Sequence, residues 1–144
     1  MSNSNQFGFQ IDDDSNLVSA VFRGKHNAET IISCISKVHD NQCFKNKPAA
    51  VFDMQDAELS ESYGDLLQMI DFTNLLGNSR GPSRWAFVSD NSSSSEFLDR
   101  FIVLTGGDNR IQIRRFNRDA EAKRWLNSYS LTRLVPENHP LVNV

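Results

Sequence analysis

The sequence is poor in cysteine and has no signal-like or membrane-length apolar segment. Its two cysteines, Cys34 and Cys43, lie in neither a C-x-x-C pair nor a histidine-rich stretch, so we expect reduced thiols and a cytoplasmic protein. The opening "MSNSNQFGFQ" lacks a basic region followed by an apolar one, which predicts no signal peptide. No window approaches the roughly 20 apolar residues of a membrane span. We therefore expect no integral membrane segment.

Positive charge is not in excess either, because 15 basic residues face 18 acidic ones and the net charge is −3. This balance argues against a nucleic-acid binder. The histidines His26, His39 and His139 are scattered, and no pattern typical of a catalytic triad or a metal site is visible. We predict a protein that is not an enzyme and that uses no metal and no cofactor.

What is present is an alternation of apolar strand and helix patterns. "FGFQI" (7–11) alternates apolar and polar residues, and a hairpin turn leads to the apolar run 17–22. Helical spacing then separates further strand-like runs at 49–54, 85–89 and 110–116. The pattern predicts an α/β fold in the order β-β-α-β-α-β-α-β-α, as one domain over residues 1–129. Residues 130–144 are predicted to be a C-terminal tail that packs on the domain or on a second subunit.

The strand patterns also predict the order of the sheet. Strands joined through helices pair in parallel, and only the first and last strands show half-exposed alternation. Sheet order should therefore equal sequence order in a mainly parallel five-stranded sheet with an antiparallel N-terminal edge strand. Every crossover helix then falls on one face. We expect the tail, the first helix or a second subunit, as in a homodimer, to cover the other.

Helix starts and ends are less sharply marked. Ser93 with Glu96 forms a capping-box pattern, which explains the polar run "SSSS" as a helix start. Gly77 lies near the expected end of the second helix, and the "TGGDN" stretch (105–109) reads as a turn.

The chain resembles the STAS family of anti-sigma-factor antagonists and their bacterial relatives, which are grouped with Sec14-type lipid-binding domains. The resemblance covers about residues 7–126 and rests on the opening hairpin, on "VFDM" with Asp53, and on the closing "FNRDAEAKRWL". In the antagonists, a serine about nine residues after the aspartate is phosphorylated, before a glycine. Ser62 and Gly64 of "ESYG" match those positions, whereas Tyr63 replaces a second serine. The resemblance implies a STAS-like fold and a regulatory, non-catalytic protein-interaction module.

The Sec14-like side of the resemblance implies an alternative function, the binding of a small amphipathic or lipid-like ligand. Aromatic residues could line its pocket, although such residues are more often plain core. They are Phe72, Trp85, Phe87, Phe97 and Phe101.

Two interpretations of Ser62 compete. A helix N-terminus favours a phosphate, but no Lys or Arg lies between Pro48 and Gly77, so neighbouring acids would repel it. The S-x-x-D pair of Ser62 and Asp65 favours a helix cap, with Ser60 as a second candidate. We favour the cap. The nearby acids are predicted to form a solvated surface, with Asp53 binding backbone N–H groups of a following loop.

Four arginines are candidates for contact with an anion or a partner. Arg80 and Arg84 lie in the connection 77–85, which could gate a pocket beside Asp53 or be a plain linker. Arg110 and Arg114 belong to the most cationic part of the chain. Those charges could meet an acidic partner or anionic lipid, or could protect an edge strand from aggregation.

Overall fold

The computed structural model describes residues 6–12, 17–40, 49–60, 62–80, 83–105 and 110–138, and excludes the side chains of 78–80, 93 and 129–138. The strands are β1 (Gln6–Asp12), β2 (Leu17–His26), β3 (Ala49–Leu59), β4 (Ser83–Val88) and β5 (Ile111–Phe116). The helices are α1 (Ala28–Asp40), α2 (Tyr63–Arg80), α3 (Ser92–Thr105) and α4 (Asp119–Asn138). The predicted order of elements is confirmed.

The five strands form one sheet in the order β1-β2-β3-β4-β5. β1 pairs antiparallel with β2, and the remaining strands pair in parallel. β1 alternates exposed and half-buried residues along its whole length, as expected for an edge strand with one buried face. Sheet order therefore equals sequence order, as the alternation predicts.

The larger core lies between the sheet and α1, α2 and α3. Ile31 and Ile35 of α1 and Leu98 of α3 belong to it, and the Phe52 ring contacts those of Trp85 and Phe87 at centroid distances of 5.3 and 5.1 Å. The three crossover helices thus share one face of the sheet, as right-handed parallel connections require when strand order never reverses.

The other face is covered by α4, whereas the first helix packs on the larger core. Ala122 and Leu126 of α4 are buried against apolar side chains of three strands. These are Leu17, Ala49, Val51, Ala86 and Val88. A single helix buries the apolar side chains on this face of the inner strands, so the fold does not need a dimer to cover them. The homodimer stays a prediction.

β3 extends five residues beyond the predicted end of its buried run. Its first half pairs with both neighbours, but Asp53 is the last residue that pairs with β4, opposite Val88. Beyond it the strand pairs with β2 alone, after a register shift that places an extra residue in β3. Such a bulge increases local twist. Gly24 of β2 lies in this section with φ of 84°, a conformation that costs little only for glycine.

Three boundaries differ from the sequence predictions. α2 continues three residues past Gly77, because one glycine weakens a helix without ending it. α3 is capped by Asn91 and not by Ser93, since Asn91 Oδ1 accepts the N–H of Ser94 at 2.9 Å. α4 continues to Asn138, so most of the predicted tail is helical and only 139–144 lies outside the described residues. The turn predicted at 105–109 also lies outside them, apart from Thr105, which ends α3.

No helix in the described part of the chain is both long enough and apolar enough to cross a membrane.

Candidate functional site

The starts of α1 and α2 lie side by side, because the ends of β2 and β3 are paired. His26 is the register partner of Leu59, and the Ser60 N–H donates to the His26 carbonyl at 2.9 Å. Each strand is followed within a few residues by its helix. The pairing therefore brings two helix N-termini, with their free N–H groups, to the same corner of the domain.

Asn27 caps α1. Its Oδ1 accepts the N–H of Thr30 at 2.9 Å, and its own N–H donates to the Thr30 hydroxyl at 3.0 Å. This reciprocal pair has the geometry of a capping box. One further N–H of the first turn, that of Ala28, donates instead to Oδ1 of Asp65, 37 residues later in the chain, at 3.2 Å. A carboxylate of α2 thus contributes to the cap of α1.

Ser62 caps α2, as the sequence predicts. Its Oγ accepts the N–H of Asp65 at 3.0 Å, and its carbonyl accepts the first helical hydrogen bond, from Leu66, at 3.1 Å. The same hydroxyl donates to Asp65 Oδ2 at 2.7 Å, and the hydroxyl of Ser60 donates to that oxygen as well. Ser60 therefore supports the cap through Asp65.

These contacts make Asp65 the centre of a small polar network. The hydrogen bond from Ser60 is the largest cause that lowers the pKa of the Asp65 carboxyl, and the bonds from Ser62 and Ala28 add to it, while partial burial opposes them. Stabilisation of the charged form by several donors is the general reason for such a shift. The network consequently holds a carboxylate at the joint between the two helix starts.

A phosphate on Ser62 would act directly on this network. Esterification removes the hydroxyl proton that Ser62 donates to Asp65. It also places a charge of about −1.5 to −2 beside that carboxylate. Asp65 is therefore an acidic neighbour that would repel a phosphate on Ser62, because its carboxylate lies at hydrogen-bond distance from the Ser62 hydroxyl.

The first turns of α2 expose two large apolar side chains. Tyr63 is 71% exposed and Leu67 is 42% exposed. Sequence periodicity places both in one stripe with Leu66 and Ile70, but only Leu66 and Ile70 pack against the core, together with Met69. The signal that could have shown this is Met69, which continues the buried spacing three residues after Leu66.

Gly64, the residue that matches the family glycine, lies between Tyr63 and Leu67 on the exposed side. Apart from the chain neighbours of Gly64 and the helix's own backbone, the described atom nearest to a Cβ added there is the Oγ of Ser62, at 4.0 Å. The backbone of Gly64 also lies in the helix. The fold therefore places no steric demand for glycine at this position.

A cavity of about 310 Å³ opens beside the helix starts. Its lining residues are Lys25, His26, Asn27, Thr30, Glu58, Leu59 and Ser60. His26 is 3% exposed, and its Nε2 lies 3.1 Å from the Arg23 carbonyl and 3.2 Å from that of Gln6. Because carbonyls only accept, Nε2 carries a proton and ties β1 to β2. This histidine holds the hairpin end in place.

Asp53 is not part of this corner. It lies six residues before the end of β3, where its Oδ1 accepts the N–H of Gln55 at 3.0 Å. The predicted backbone contact is therefore present, although within a bulged strand and not in a loop. Among the described residues, no three His, Cys, Asp or Glu side chains are grouped in a way that could hold a metal ion.

The candidate arginines are also remote from this corner. Arg84 pairs with Ala49 at the amino end of β4, whereas Asp53 pairs with Val88 at its carboxyl end, so the hypothesis of a gate beside Asp53 is wrong. The Arg80 side chain lies outside the described part. Arg110 and Arg114 are exposed at the β5 edge.

The five aromatic residues considered for a ligand pocket lie in or against the main core. Trp85, Phe87 and Phe101 have 0% exposure and Phe97 has 4%, while Phe72 packs against the same core. None of them lines the cavity at the helix starts or the second described cavity, about 570 Å³ on the open face of β1 and β2. The aromatics therefore give no support to the ligand-binding alternative.

Comparisons of sequence find no matching protein-family model and no matching curated protein. Comparison of structure finds an anti-sigma factor antagonist from Mycobacterium paratuberculosis, with a TM-score of 0.56 over 88% of this chain and 97% of that one, at 18% identity. The chain has the anti-sigma factor antagonist fold. An uncharacterized DUF3478-family protein with a SpoIIAA-like fold, from Shewanella loihica, matches with a TM-score of 0.53 over 88% of this chain and 98% of that one, at 14% identity.

The STAS-like fold predicted from the sequence is thereby confirmed. At these identities the likeness concerns the fold. Fold alone does not determine function, which depends on the residues of the site.

Proposed function

We propose that this protein is a non-catalytic regulatory module that binds a protein partner through the start of α2. The contact surface, which we call the α2 surface, consists of Ser62, Tyr63, Gly64 and Leu67. The observation that carries the proposal is the exposure of two large apolar side chains, Tyr63 and Leu67, directly after the Ser62 cap. Large apolar side chains grouped on a surface are typical of protein-interaction sites.

The fold supports the same function. One structural neighbour is described as an anti-sigma factor antagonist, a kind of protein that acts on other proteins. A cytoplasmic location, expected from the sequence, belongs to this proposal.

Gly64 contributes to the α2 surface by being small. Because the nearest described atom outside its chain neighbours and helix backbone lies 4.0 Å from a Cβ built there, the space above it is open to a partner. Close approach of two backbones at a glycine is a common reason for its use in recognition. Tyr63 can add a large, rigid contact area at low entropic cost, as tyrosine does at many interfaces.

Charge at Ser62 would control the partner's access. A phosphate there would lose the hydrogen bond to Asp65 and repel its carboxylate, so the first turn of α2 would rearrange under the α2 surface. The uncharged protein is then the form that binds. The regulatory reading and the capping reading of Ser62 are compatible, since the cap is what the added charge would disturb.

The experiment is a pull-down with the purified protein as bait, from extracts of the cells that produce it. The double variant Tyr63→Ser with Leu67→Ser should lose whatever protein the wild type retains. Val103→Ser is the matched control, because Val103 is 77% exposed on a different helix. A retained protein that is insensitive to the double variant, or equally sensitive to the control, would contradict the proposal.

A second pair of bait proteins tests whether charge at Ser62 controls binding of the partner. Ser62→Ala removes the cap hydroxyl without adding charge, whereas Ser62→Asp keeps an accepting cap side chain and adds a charge beside Asp65. We expect Ser62→Asp to reduce partner retention far more than Ser62→Ala does. Equal retention by both variants would not contradict binding at the α2 surface, but it would exclude charge at Ser62 as the regulator of that binding.

A further inference from the structure

The edge of the sheet opposite β1 carries three exposed arginines, Arg110, Arg114 and Arg118, which we call the arginine face. Arg110 and Arg114 share one side of β5, because side chains alternate along a strand and the ladder extends back to Arg110, whose carbonyl accepts the N–H of Ser83 at 3.3 Å. Arg118 follows the strand, and its carbonyl accepts the first hydrogen bond of α4, from Ala122 at 3.2 Å.

Other arginines nearby have structural roles. Arg115 points to the opposite side of β5, where its Nε lies 2.8 Å from Asp99 Oδ1 and its Nη1 donates to the Ser89 carbonyl at 2.7 Å. Arg84 donates through Nε to Gln112 at 2.8 Å, and its Nη1 donates to a carbonyl of α4. By contrast, no described residue forms an ion pair or a side-chain hydrogen bond with any guanidinium of the arginine face.

Arg114 is nevertheless held in position. Its Cζ lies 5.3 Å from the ring centroid of Phe116 and 5.5 Å from that of Trp125. Such stacking attracts a guanidinium through the face of the ring and leaves its N–H donors available. An exposed arginine that is already oriented loses less conformational entropy when it binds a carboxylate.

Arg118 occupies a position where stability favours a different residue. It is the N-cap of α4, a place for Ser, Thr, Asp or Asn, and a cation there opposes the helix dipole. A local choice that works against stability is expected chiefly where function requires it. Charges that only protect an edge strand from aggregation need neither this position nor stacking on two rings.

The chemistry of the occupant follows from charge. Residues 110–124 hold six basic and two acidic side chains in a chain whose net charge is −3. We propose that the arginine face binds an acidic segment of a protein partner, with carboxylates of that segment pairing with Arg114 and its flanking arginines. Arginine suits this role because its planar fork binds carboxylates through two hydrogen bonds.

An anionic membrane is a poorer match. Peripheral membrane binding combines cations with apolar side chains that enter the lipid. The exposed large apolar residues of the described chain lie on α2 and α3, which pack on the other face of the sheet. They are Tyr63, Leu67, Leu75, Val103 and Leu104.

The test uses fluorescence anisotropy with a labelled ten-residue peptide that contains six glutamates, at low ionic strength and with the full chain. We expect saturable binding that Arg114→Ala weakens about threefold to fivefold, as for an exposed ion pair. Replacing all three arginines of the arginine face with alanine should weaken it further. The charge-matched control replaces Lys25, Lys37 and Arg100, which are exposed elsewhere, and should change affinity by less than about twofold.

Arg114→Lys separates a positioned guanidinium from simple charge. It keeps the charge but loses the planar fork, so it should bind the peptide more weakly than the wild type, with unchanged circular dichroism. An equal loss in the control triple variant would overturn the proposal, as would full binding by Arg114→Lys. Phosphatidylserine vesicles bound in an Arg114-dependent manner, with no peptide binding, would also overturn it in favour of a membrane.

Discussion

Replacing Asp65 with asparagine should destabilise the domain more than any other single change of charge on α2. The carboxylate accepts hydrogen bonds from the hydroxyls of Ser60 and Ser62 and from the N–H of Ala28. Asparagine keeps one oxygen that can accept from Ala28. The NH2 group that takes the place of Oδ2 can only donate, so the hydroxyls of Ser60 and Ser62 lose their acceptor.

The magnitude follows from the exposure of the site. A hydrogen bond to a charged group contributes about 1.5–3 kcal/mol when water is excluded, but Asp65 is only partly buried, and solvent reduces its contribution. Loss of a helix cap costs about 0.5–2 kcal/mol. We therefore expect Asp65→Asn to lower the free energy of unfolding by about 1–2 kcal/mol at neutral pH.

The pH dependence has a definite sign. The pKa of the Asp65 carboxyl is lowered in the folded protein, so its contribution is fully present above the pKa of about 3.9 that an unfolded aspartate has. It is lost as the pH falls through the lower folded pKa. The difference between wild type and Asp65→Asn should be constant between about pH 5 and pH 7 and shrink below about pH 4.

Urea unfolding followed by circular dichroism, repeated across this range, measures the difference directly. Asp71→Asn is the matched control, because Asp71 is exposed on the same helix and no described residue forms a hydrogen bond with its side chain. An Asp65→Asn effect no larger than that of the control would refute the network. A difference that persists unchanged to pH 3 would refute the lowered pKa as its cause.

Three further predictions concern single residues. Gly24→Ala should destabilise the protein by about 1–2 kcal/mol, because alanine is strained at a φ of 84°. Gly64→Ala, in open helical space, should instead stabilise it by about 0.5–1 kcal/mol. Urea unfolding measures both changes, and a change of the same sign in the free energy of unfolding would contradict this prediction. Leu126→Ala should cost about 2–4 kcal/mol in the same assay, because Leu126 is 1% exposed in the core under α4; a loss below that of an exposed leucine would show that α4 does not cover the sheet. Burial raises the pKa of the Cys34 thiol, so iodoacetamide at pH 8 should alkylate Cys34 more slowly in the folded protein than in urea, measured by peptide mass spectrometry, and equal rates would contradict it.

Much of the fold could be predicted because it follows from local patterns. The alternation of β1 identifies it as an edge strand, and the apolar runs of the inner strands indicate burial on both faces. Together these two patterns are sufficient to predict the order of the strands in the sheet. The Ser62 cap was predictable for the same reason, since the cap and the N–H it binds are three residues apart.

What could not be predicted depends on partners distant in the chain. The second half of β3 is strand only because Gly24 to His26 of β2 pair with it, and its acidic residues look like a loop when taken alone. The bond between Asp65 and Ala28 spans 37 residues. Likewise, whether an arginine is structural or available depends on which distant residues lie beside it. Arg115 pairs with Asp99 of α3, whereas the described contacts of the Arg114 guanidinium are with the Phe116 and Trp125 rings.

Site-specific photo-crosslinking tests the central claim, that the α2 surface binds a protein partner. A photoreactive phenylalanine analogue would replace Tyr63 in one version of the protein and Val103 in another, since both side chains are largely exposed on different helices. We expect a discrete crosslinked protein from position 63 that is absent from position 103 and reduced by Ser62→Asp. No adduct from position 63, or the same adducts from both positions, would contradict the claim.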